Sequence, residues 1–190
     1  MTWPRLVAQS DCIVGMEVRP CSDRDLPRLQ AEWPTPGTDI HRAHHSAQGT
    51  GVATYLIAWQ GTIPLGSAMI QWGGCVGANA RRAHPDWIEI NHVHVRPEHR
   101  DQAVGTRLIA AAEAFVASRG HRDVALGVSI ENAAAARLYR RLGYEPTGVR
   151  DTSSYVWVDA DGHRHDAHEE DELMVKHLGS SPGREIGWQR

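Results

Sequence analysis

A run of small and polar residues at positions 96–106 joins an apolar strand pattern to an amphipathic helix pattern, and such a junction can bind an anion. Ala103 and Gly105 leave the backbone open to close approach by a ligand. The first amide groups of a helix have no partners within the helix, and the helix dipole favours negative charge there. The spacing fits a site where main-chain amides hold a phosphate or pyrophosphate; an ordinary strand-to-helix turn would use the same residues.

Histidines and a carboxylate in the preceding strand pattern are candidates for proton transfer. His92 and His94 are two residues apart in the same strand as Glu89, and a regular strand places both imidazoles on one face. The ordinary pKa of an imidazole lies near neutrality, which suits a general base. Histidines that are partly buried and satisfied by hydrogen bonds are the alternative, and a bulge would change which face each residue occupies.

Two further groups of histidines raise the question of a metal. One group lies within residues 41–45, where a helix would place its members on one face, and the other lies within residues 163–168 beside acidic neighbours. Neither group has an established zinc-binding spacing, and solvated polar loops explain both. We therefore predict no metal site.

The elements around the candidate anion site alternate between strands and helices. The periodicity predicts a buried strand at 87–95, a helix at 105–119, a second strand at 123–130 and a helix at 132–142. Asn132 is a residue type that caps helix N-termini. A strand, a helix and a strand in succession imply a right-handed parallel crossover.

Hairpins are predicted on both sides of this unit. The upstream pattern predicts a strand from Met16, a helix at 22–33, a weaker helix within 34–51, a strand hairpin at 53–59 and 65–72, and a loop at 73–86. The downstream pattern predicts a terminal hairpin at 155–158 and 172–176. Hairpins imply antiparallel pairing, so the fold class is α/β, one central mixed sheet flanked by helices.

The composition excludes several classes of protein. The 190 residues carry 20 basic and 23 acidic side chains, a net charge of -3 that argues against nucleic-acid binding. No stretch is long and apolar enough to cross a membrane and no secretory signal is visible, so we expect a cytoplasmic location without membrane contact. Protonation of all 12 histidines would change the formal charge to +9, which predicts sensitivity to mild acid.

Two motifs together resemble the GNAT superfamily of acetyl-CoA-dependent N-acetyltransferases. The first motif is Arg100-Asp-Gln-Ala-Val-Gly105, where the superfamily has Gln/Arg-x-x-Gly-x-Gly/Ala. The second begins at Asn132, where the superfamily has Asn-x-x-Ala-x-x-Leu-Tyr and then an aromatic residue after a glycine. The matching residues are Arg100, Val104, Gly105, Asn132, Ala135, Leu138, Tyr139, Gly143 and Tyr144. The resemblance covers about residues 87–148, and Ala103 departs from it by replacing the usual first glycine.

The resemblance implies acetyl-CoA as the co-substrate. It implies that amides of the first motif hold the pyrophosphate, and that the strand at 87–95 splays from the next strand so that the pantetheine arm lies between them. A main-chain amide of the splayed strand would polarise the thioester carbonyl. The implied cofactor-binding residues are Val93, His94, Val95, Arg100, Asp101, Gln102, Ala103, Val104, Gly105, Thr106, Asn132 and Tyr139.

The resemblance also implies roles in catalysis. Glu89 lies where many relatives carry a general base, which would take a proton from the amine through water. Tyr139 matches the tyrosine that points at the coenzyme sulfur and can protonate it. His94 is an alternative base, as is His92. The structural alternatives are a Glu89 that is exposed at the start of the strand or held in an ion pair, and a Tyr139 that only packs the helix onto the sheet.

The implied function is transfer of an acetyl group from acetyl-CoA to a primary amine of a small molecule, such as an amino sugar, a polyamine or an amino-acid derivative, by direct attack in a ternary complex. Acetylation of a protein N-terminus or lysine is one alternative. A non-catalytic acyl-CoA-binding regulatory module is another, because a fold does not determine function. The acetyltransferase domain is predicted at 16–178, with tails at 1–15 and 179–190, and relatives are often dimers, so a homodimer stays an open expectation.

Overall fold

A computed structural model describes residues 15–35, 38–158 and 163–179, and in these residues seven strands form one sheet. The strands are β1 Met16–Pro20, β2 Ala53–Gln60, β3 Ile63–Gln71, β4 Ile88–Val95, β5 Asp123–Ser129, β6 Glu145–Val158 and β7 Arg164–His177. The helices are α1 Leu26–Glu32, α2 Ile40–Gly49, α3 Ala78–Ala83, α4 Val104–Ser118 and α5 Ala133–Arg141, with a 3-10 turn at Pro97–His99. The spatial order of the strands is β1-β2-β3-β4-β5-β7-β6.

The central pair of strands, β4 and β5, is parallel, and every other neighbouring pair of described strands is antiparallel. Helix α4 connects β4 to β5, as the alternating pattern predicts. The pairing between the two strands is short, because it joins only Ile88 to Val124 and Glu89 to Ala125. The predicted mixed α/β fold is therefore confirmed, and β4 separates from β5 after Glu89.

Helices cover both faces of the sheet. On one face, α4 buries Leu108, Ile109 and Val116 against Ile88 and Ile90 of β4 in the largest apolar cluster. Complete burial of an aliphatic side chain of this size stabilises a fold by about 1.5–3 kcal/mol. On the opposite face, Leu29 of α1 lies in a second cluster with Tyr55 and Ile57 of β2.

Helix α3 lies in the segment 73–86 that the sequence predicts as a loop. Its N-terminus is capped by a residue far away in the chain, since the Asp151 carboxylate accepts hydrogen bonds from the amides of Asn79 at 2.8 Å and Ala80 at 2.9 Å. Gly77 precedes the helix, and a Cβ atom there would collide with the Asp151 carboxylate. A cap supplied by β6 leaves no signal in the local sequence, which explains the wrong prediction.

The terminal hairpin is much longer than the predicted one. Strands β6 and β7 have 14 residues each and pair from Glu145 with Val175 to Val158 with Arg164. The predicted hairpin left out residues 145–154 and 164–171, where charged and polar residues interrupt the apolar alternation. Pairing with β5 along 171–177 supports the inner half of β7.

Both predicted tails lie almost entirely outside the described residues, so the predicted domain limits of 16 and 178 stay predictions. Among the described helices, none has the length and apolar character needed to span a membrane.

Candidate active site

The loop between β4 and α4 carries the predicted anion site. Helix α4 begins at Val104, and a hydrogen bond of 3.1 Å runs from the Arg107 amide to the Ala103 carbonyl oxygen. The amides of Val104, Gly105 and Thr106 belong to the first turn, where no carbonyl of the helix precedes them. The helix is 15 residues long, so its dipole favours an anion at this end.

The backbone of this loop has left-handed geometry at two residues that are not glycine. Asp101 has a φ of 59° and Ala103 a φ of 61°. Each such residue costs roughly 1–2 kcal/mol when it carries a Cβ atom. Left-handed residues occur in the concave main-chain nests that bind anions. Ala103 therefore has a backbone conformation that glycine, the usual residue of the superfamily motif, adopts without strain.

A bulge in β4 determines which side chains face the second cluster, under α1 and α2. Ile88 and Ile90 pack toward α4, but so do Val93 and Val95, which means that the alternation changes between residues 90 and 93. The pairing with β3 shifts at the same place, from Met69 with Asn91 to Ser67 with His94. His92 has a φ of 48° at this bulge. Glu89 and His94 consequently face the same side although they are an odd number of residues apart.

Glu89 is a buried carboxylate at the last position of β4 that pairs with β5. It has 6% of its surface exposed, and its Oε2 accepts a hydrogen bond of 2.7 Å from the Val76 amide. Burial raises the pKa of Glu89, while the Val76 amide and the Asn91 side chain oppose this by hydrogen bonding. The negative charges of Asp171 and Asp151 raise the pKa further. A carboxyl group with a raised pKa is a stronger base, which suits proton transfer near neutral pH.

Tyr139 lies on the other face of the sheet from Glu89. Its ring belongs to the apolar cluster under α4, with 8% of the residue exposed, and burial raises the pKa of its hydroxyl. The two side chains can meet one ligand only through the opening between β4 and β5. Tyr139 thus packs the helix onto the sheet, and its protonation of the coenzyme sulfur remains a prediction.

Asn132 has a structural task of its own. Its Oδ1 accepts a hydrogen bond of 3.0 Å from the Ala135 amide and so caps α5, as the sequence predicts. The predicted contact of Asn132 with the pantetheine arm remains a prediction.

The two histidines of β4 contact the helices of the opposite layer. The ring of His92 lies 4.7 Å from that of His44 in α2, and the ring of His94 lies 5.2 Å from that of Trp33 at the end of α1. Burial lowers the pKa of all three imidazoles, that of His44 to about 4. These rings are therefore neutral at pH 7 and weaker bases than a free imidazole.

His41 fixes the position of Trp33. Its Nε2 donates a hydrogen bond of 2.8 Å to the Trp33 carbonyl oxygen, so its Nδ1 accepts the bond of 2.7 Å from the Tyr55 hydroxyl. His41 is buried, and burial lowers its pKa. The histidine group predicted as a solvated polar loop is instead part of a packed layer that covers β4.

The two described cysteines are poor nucleophiles. Cys21 and Cys75 are buried, and burial raises the pKa of each thiol to about 12. Cys75 lies close enough to Glu89 for the carboxylate charge to raise the pKa of its thiol further, although Cys75 is outside the motifs of the sequence. A protonated thiol does not readily form an acyl intermediate. In the described parts of the chain, no group of three or more histidines, cysteines or carboxylates is arranged to hold a metal.

Sequence reasoning missed the role of Asn91 and the placement of His44. The Asn91 side chain lowers the pKa of Glu89, and its Oδ1 is buried without a partner among the described residues. The Nδ1 of His44 is also buried and, within the described chain, unpartnered. The alternation of apolar residues around 90–93 could have located the bulge and hence the orientation of Asn91; no local signal would have paired His44 with His92.

The family model of the GNAT acetyltransferase family matches residues 21–144, well over half of the chain. The chain belongs to this family. The predicted family and its acyltransferase class are thereby confirmed. The match also reaches further upstream than the two motifs, because it includes α1, α2 and the first hairpin.

Relatives of known sequence cover a shorter region. An uncharacterized N-acetyltransferase of Methanocaldococcus jannaschii is 42% identical over 61 residues, 32% of this chain and 27% of that protein. A putative ribosomal protein bS18 alanine N-acetyltransferase of Bacillus subtilis is 31% identical over 65 residues, 34% of this chain and 43% of that protein. These matches thus span less than half of either relative.

The fold extends the similarity to nearly the whole chain. A phosphinothricin acetyltransferase from Sinorhizobium meliloti, solved with acetyl-CoA, has a TM-score of 0.61 and 19% identity and covers 88% of this chain and 91% of its own. At this identity the similarity shows the fold alone, and it confirms the predicted GNAT architecture.

Proposed function

We propose that this protein transfers the acetyl group of acetyl-CoA to a primary amine of a small molecule by direct attack in a ternary complex. The observation that carries the proposal is the placement of Glu89. It is a buried carboxylate with a raised pKa, located where β4 leaves β5, on the strand that leads into the loop before α4. Acetyl-CoA, when bound, supplies the acetyl group as a thioester.

The loop at 101–106 is suited to the pyrophosphate of that molecule. Its amides are unpartnered within α4, its backbone is left-handed at Asp101 and Ala103, and the helix dipole favours the anion. The opening between β4 and β5 leaves main-chain groups of Val93 and Val95 without β5 partners, so they are free to hold the pantetheine arm. Arg100, Gln102, Asn132 and His94 complete the proposed cofactor contacts.

Glu89 removes the proton of the acceptor ammonium through a water molecule, which makes the nitrogen nucleophilic. The nitrogen then bonds to the carbonyl carbon, and an amide of the splayed β4 stabilises the negative charge on the carbonyl oxygen. As the carbon–sulfur bond breaks, the Tyr139 hydroxyl gives its proton to the sulfur, and the second proton of the attacking nitrogen passes through water to the Tyr139 oxygen, which restores the hydroxyl and leaves a neutral amide. The buried, protonated thiols of Cys21 and Cys75 support direct attack over a route through an acyl-cysteine.

The test is thiol release from acetyl-CoA against a panel of amines: spermidine, an aminoglycoside, phosphinothricin, a peptide with N-terminal alanine and a peptide with an internal lysine. We expect saturable release with at least one small amine, and loss of about 100-fold or more of kcat in Glu89→Gln, as for removal of a general base. Tyr139→Phe lowers kcat as well. If His94 is the base instead, His94→Gln rather than Glu89→Gln causes this loss.

Acetylation of a protein N-terminus is the second candidate, since the Bacillus subtilis relative is named as an alanine N-acetyltransferase of a ribosomal protein. Turnover confined to the alanine-terminated peptide would favour it. Tight coenzyme A binding without turnover of any amine would instead support the non-catalytic acyl-CoA-binding module.

A further inference from the structure

Asn91 lies two residues after Glu89, at a point where β4 has already separated from β5. It pairs with Met69 of the neighbouring strand β3, and Met69 belongs to the buried cluster under α1 and α2. Paired residues of antiparallel strands point to the same side of a sheet. The Asn91 side chain therefore faces the same layer as Glu89 and His94.

The chemistry of the amide group decides how Asn91 is oriented. A carboxylate only accepts hydrogen bonds, and the nitrogen of a side-chain amide is its only donor. The Asn91 side chain lowers the pKa of Glu89, so the group that faces the carboxylate must be Nδ2 of Asn91. This leaves Oδ1 turned away from Glu89.

No donor within the described chain reaches this oxygen. Asn91 Oδ1 is buried and has no hydrogen-bond partner among the described residues. Buried acceptors without a partner destabilise a fold and are rare, so an orphan at a site invites a ligand donor. Because the oxygen lies beside a candidate base at the opening of the sheet, the donor that fits is the group to be acetylated.

The charges around Glu89 select the kind of donor. Asp171 of β7 and Asp151 of β6 both act on Glu89 through their negative charges, and the neutral thiol of Cys75 lies nearby. Arg81 of α3 is also close, but its Nε is bound to the Cys75 carbonyl oxygen at 2.9 Å. Oxygen acceptors and carboxylates in one place favour a positively charged N–H group.

We propose that Asn91 Oδ1 accepts a hydrogen bond from the ammonium group of a cationic primary amine and holds it beside Glu89. This inference rests on the proposed function, and it names the substrate class and a residue that binds it. Asn91 lies between the two partners of the proton transfer, since its nitrogen faces the carboxylate and its oxygen binds the ammonium. The proton moves from that ammonium through the water molecule to Glu89, and the neutral amine remains at Oδ1.

The first test measures binding without turnover. Methylammonium and spermidine are titrated into the coenzyme A complex of the wild type and of Asn91→Leu, with the side-chain amide signals followed by NMR. We expect saturable binding in the wild type and a Kd raised by about tenfold or more in Asn91→Leu, since a hydrogen bond to a charged group is lost. The Kd of coenzyme A stays unchanged.

Two further variants separate binding from folding. Asn91→Asp keeps an oxygen acceptor of the same shape, so it retains binding of both probes at pH 8. Asn79→Leu makes the same substitution at an exposed asparagine of α3, whose side chain binds the Arg150 carbonyl oxygen, and it leaves both Kd values unchanged. Equal Kd values in wild type and Asn91→Leu, or no saturable binding of either probe to the wild type, would overturn the inference.

A second readout is the pKa of Glu89, from the NMR titration of its carboxyl carbon. Loss of the Nδ2 donor in Asn91→Leu raises this pKa, with Asp171, Asp151 and Cys75 unchanged around it, and a value equal to wild type contradicts the contact. Thiol release separates the two proposals. Saturable probe binding without thiol release would overturn the proposed acetyltransferase function and leave the Asn91 assignment standing. Thiol release with an unaltered KM for the amine in Asn91→Leu would overturn the Asn91 assignment and leave the proposed function standing.

Discussion

Ala103 is the residue where strain and ligand binding meet most directly. Its left-handed backbone belongs to glycine, yet it carries a Cβ atom. The sequence identifies the position through the motif, but the motif cannot show whether an alanine there keeps the glycine conformation. In the structure Ala103 has a left-handed φ, so the loop keeps a backbone suited to glycine although the residue is alanine.

We expect Ala103→Gly to keep or raise the free energy of unfolding by up to about 1 kcal/mol, because glycine adopts a left-handed backbone without the Cβ penalty. Ala103→Val should lower it by about 1 kcal/mol or more, because a β-branched residue tolerates positive φ poorly. Urea denaturation measures both. Stabilisation by valine would contradict the strained geometry.

The pKa of Glu89 is set by a second carboxylate as well as by burial. Asp171 raises it through its negative charge, so Asp171→Asn lowers it. A general base works when ionised, and the acidic limb of kcat/KM against pH should therefore move to lower pH in Asp171→Asn. The pH-rate profile with one fixed amine measures the shift. An acidic limb that stays in place would exclude Glu89 as the group that it reports.

At the scale of elements, the close approach of β3 to β4 holds the opened strand in place. A Cβ atom at Gly66 would lie 2.6 Å from the His94 carbonyl oxygen and 3.2 Å from Val95 Cα. Because both contacts are to backbone, β3 and β4 would have to move apart to accept any side chain. The bulge and the proposed oxygen-polarising amides are in this part of β4.

Gly66→Ala should therefore lower the free energy of unfolding by about 1–3 kcal/mol, the usual cost of overpacking. It should also lower kcat by more than it weakens coenzyme A binding at the α4 loop. Denaturation, steady-state kinetics and calorimetry give the three numbers. Gly73→Ala in the exposed turn after β3 is a control for the alanine itself, because Gly73 has no left-handed φ and no atom lies within 4 Å of the added Cβ.

Most elements could be predicted from the sequence because their signals are local. The periodicity of α4, the capping Asn132 and the β2–β3 hairpin are confirmed close to their predicted limits. The prediction of a loop at α3 was wrong because the helix cap comes from the distant residue Asp151. The predicted terminal hairpin was too short because the outer parts of its strands are polar. Of the candidate site, Glu89 and the loop before α4 could be predicted from the sequence. The orientation of Asn91 could not, because it depends on the bulge in β4, and the position of His44 could not, because it depends on packing between layers.

At the scale of the whole molecule, the many histidines couple stability to pH. His41 and His44 of α2 pack against Tyr55 of β2, and burial lowers the pKa of each. The unfolded chain binds protons on these residues near pH 6.5, before the folded chain does. The contribution of these two histidines to stability is thus complete above about pH 6.5 and falls as the pH drops toward 4.

The carboxylate of Asp25 loses its contribution to stability in a lower pH range than the histidines do. Arg19 binds it through two hydrogen bonds of 2.6 and 2.9 Å, and Ser22 adds two more, which holds the pKa of Asp25 well below its usual range. Its contribution is present above about pH 4 and is lost below that value. We expect His44→Leu to reduce the stability loss between pH 6.5 and 4, and Asp25→Asn to reduce only the loss below 4. Urea midpoints across pH measure both, and a flat midpoint from pH 7.5 to 4.5 would contradict the histidine account.

The most direct test of the account combines turnover and product in one reaction. Wild type and Glu89→Gln are incubated with acetyl-CoA and the amine panel, with thiol release and the N-acetylated product measured together. The account predicts equal amounts of thiol and acetylated amine in the wild type and a loss of about 100-fold or more in Glu89→Gln, with coenzyme A binding intact. Full activity of Glu89→Gln, or no acetylated amine from any member of the panel, would contradict it.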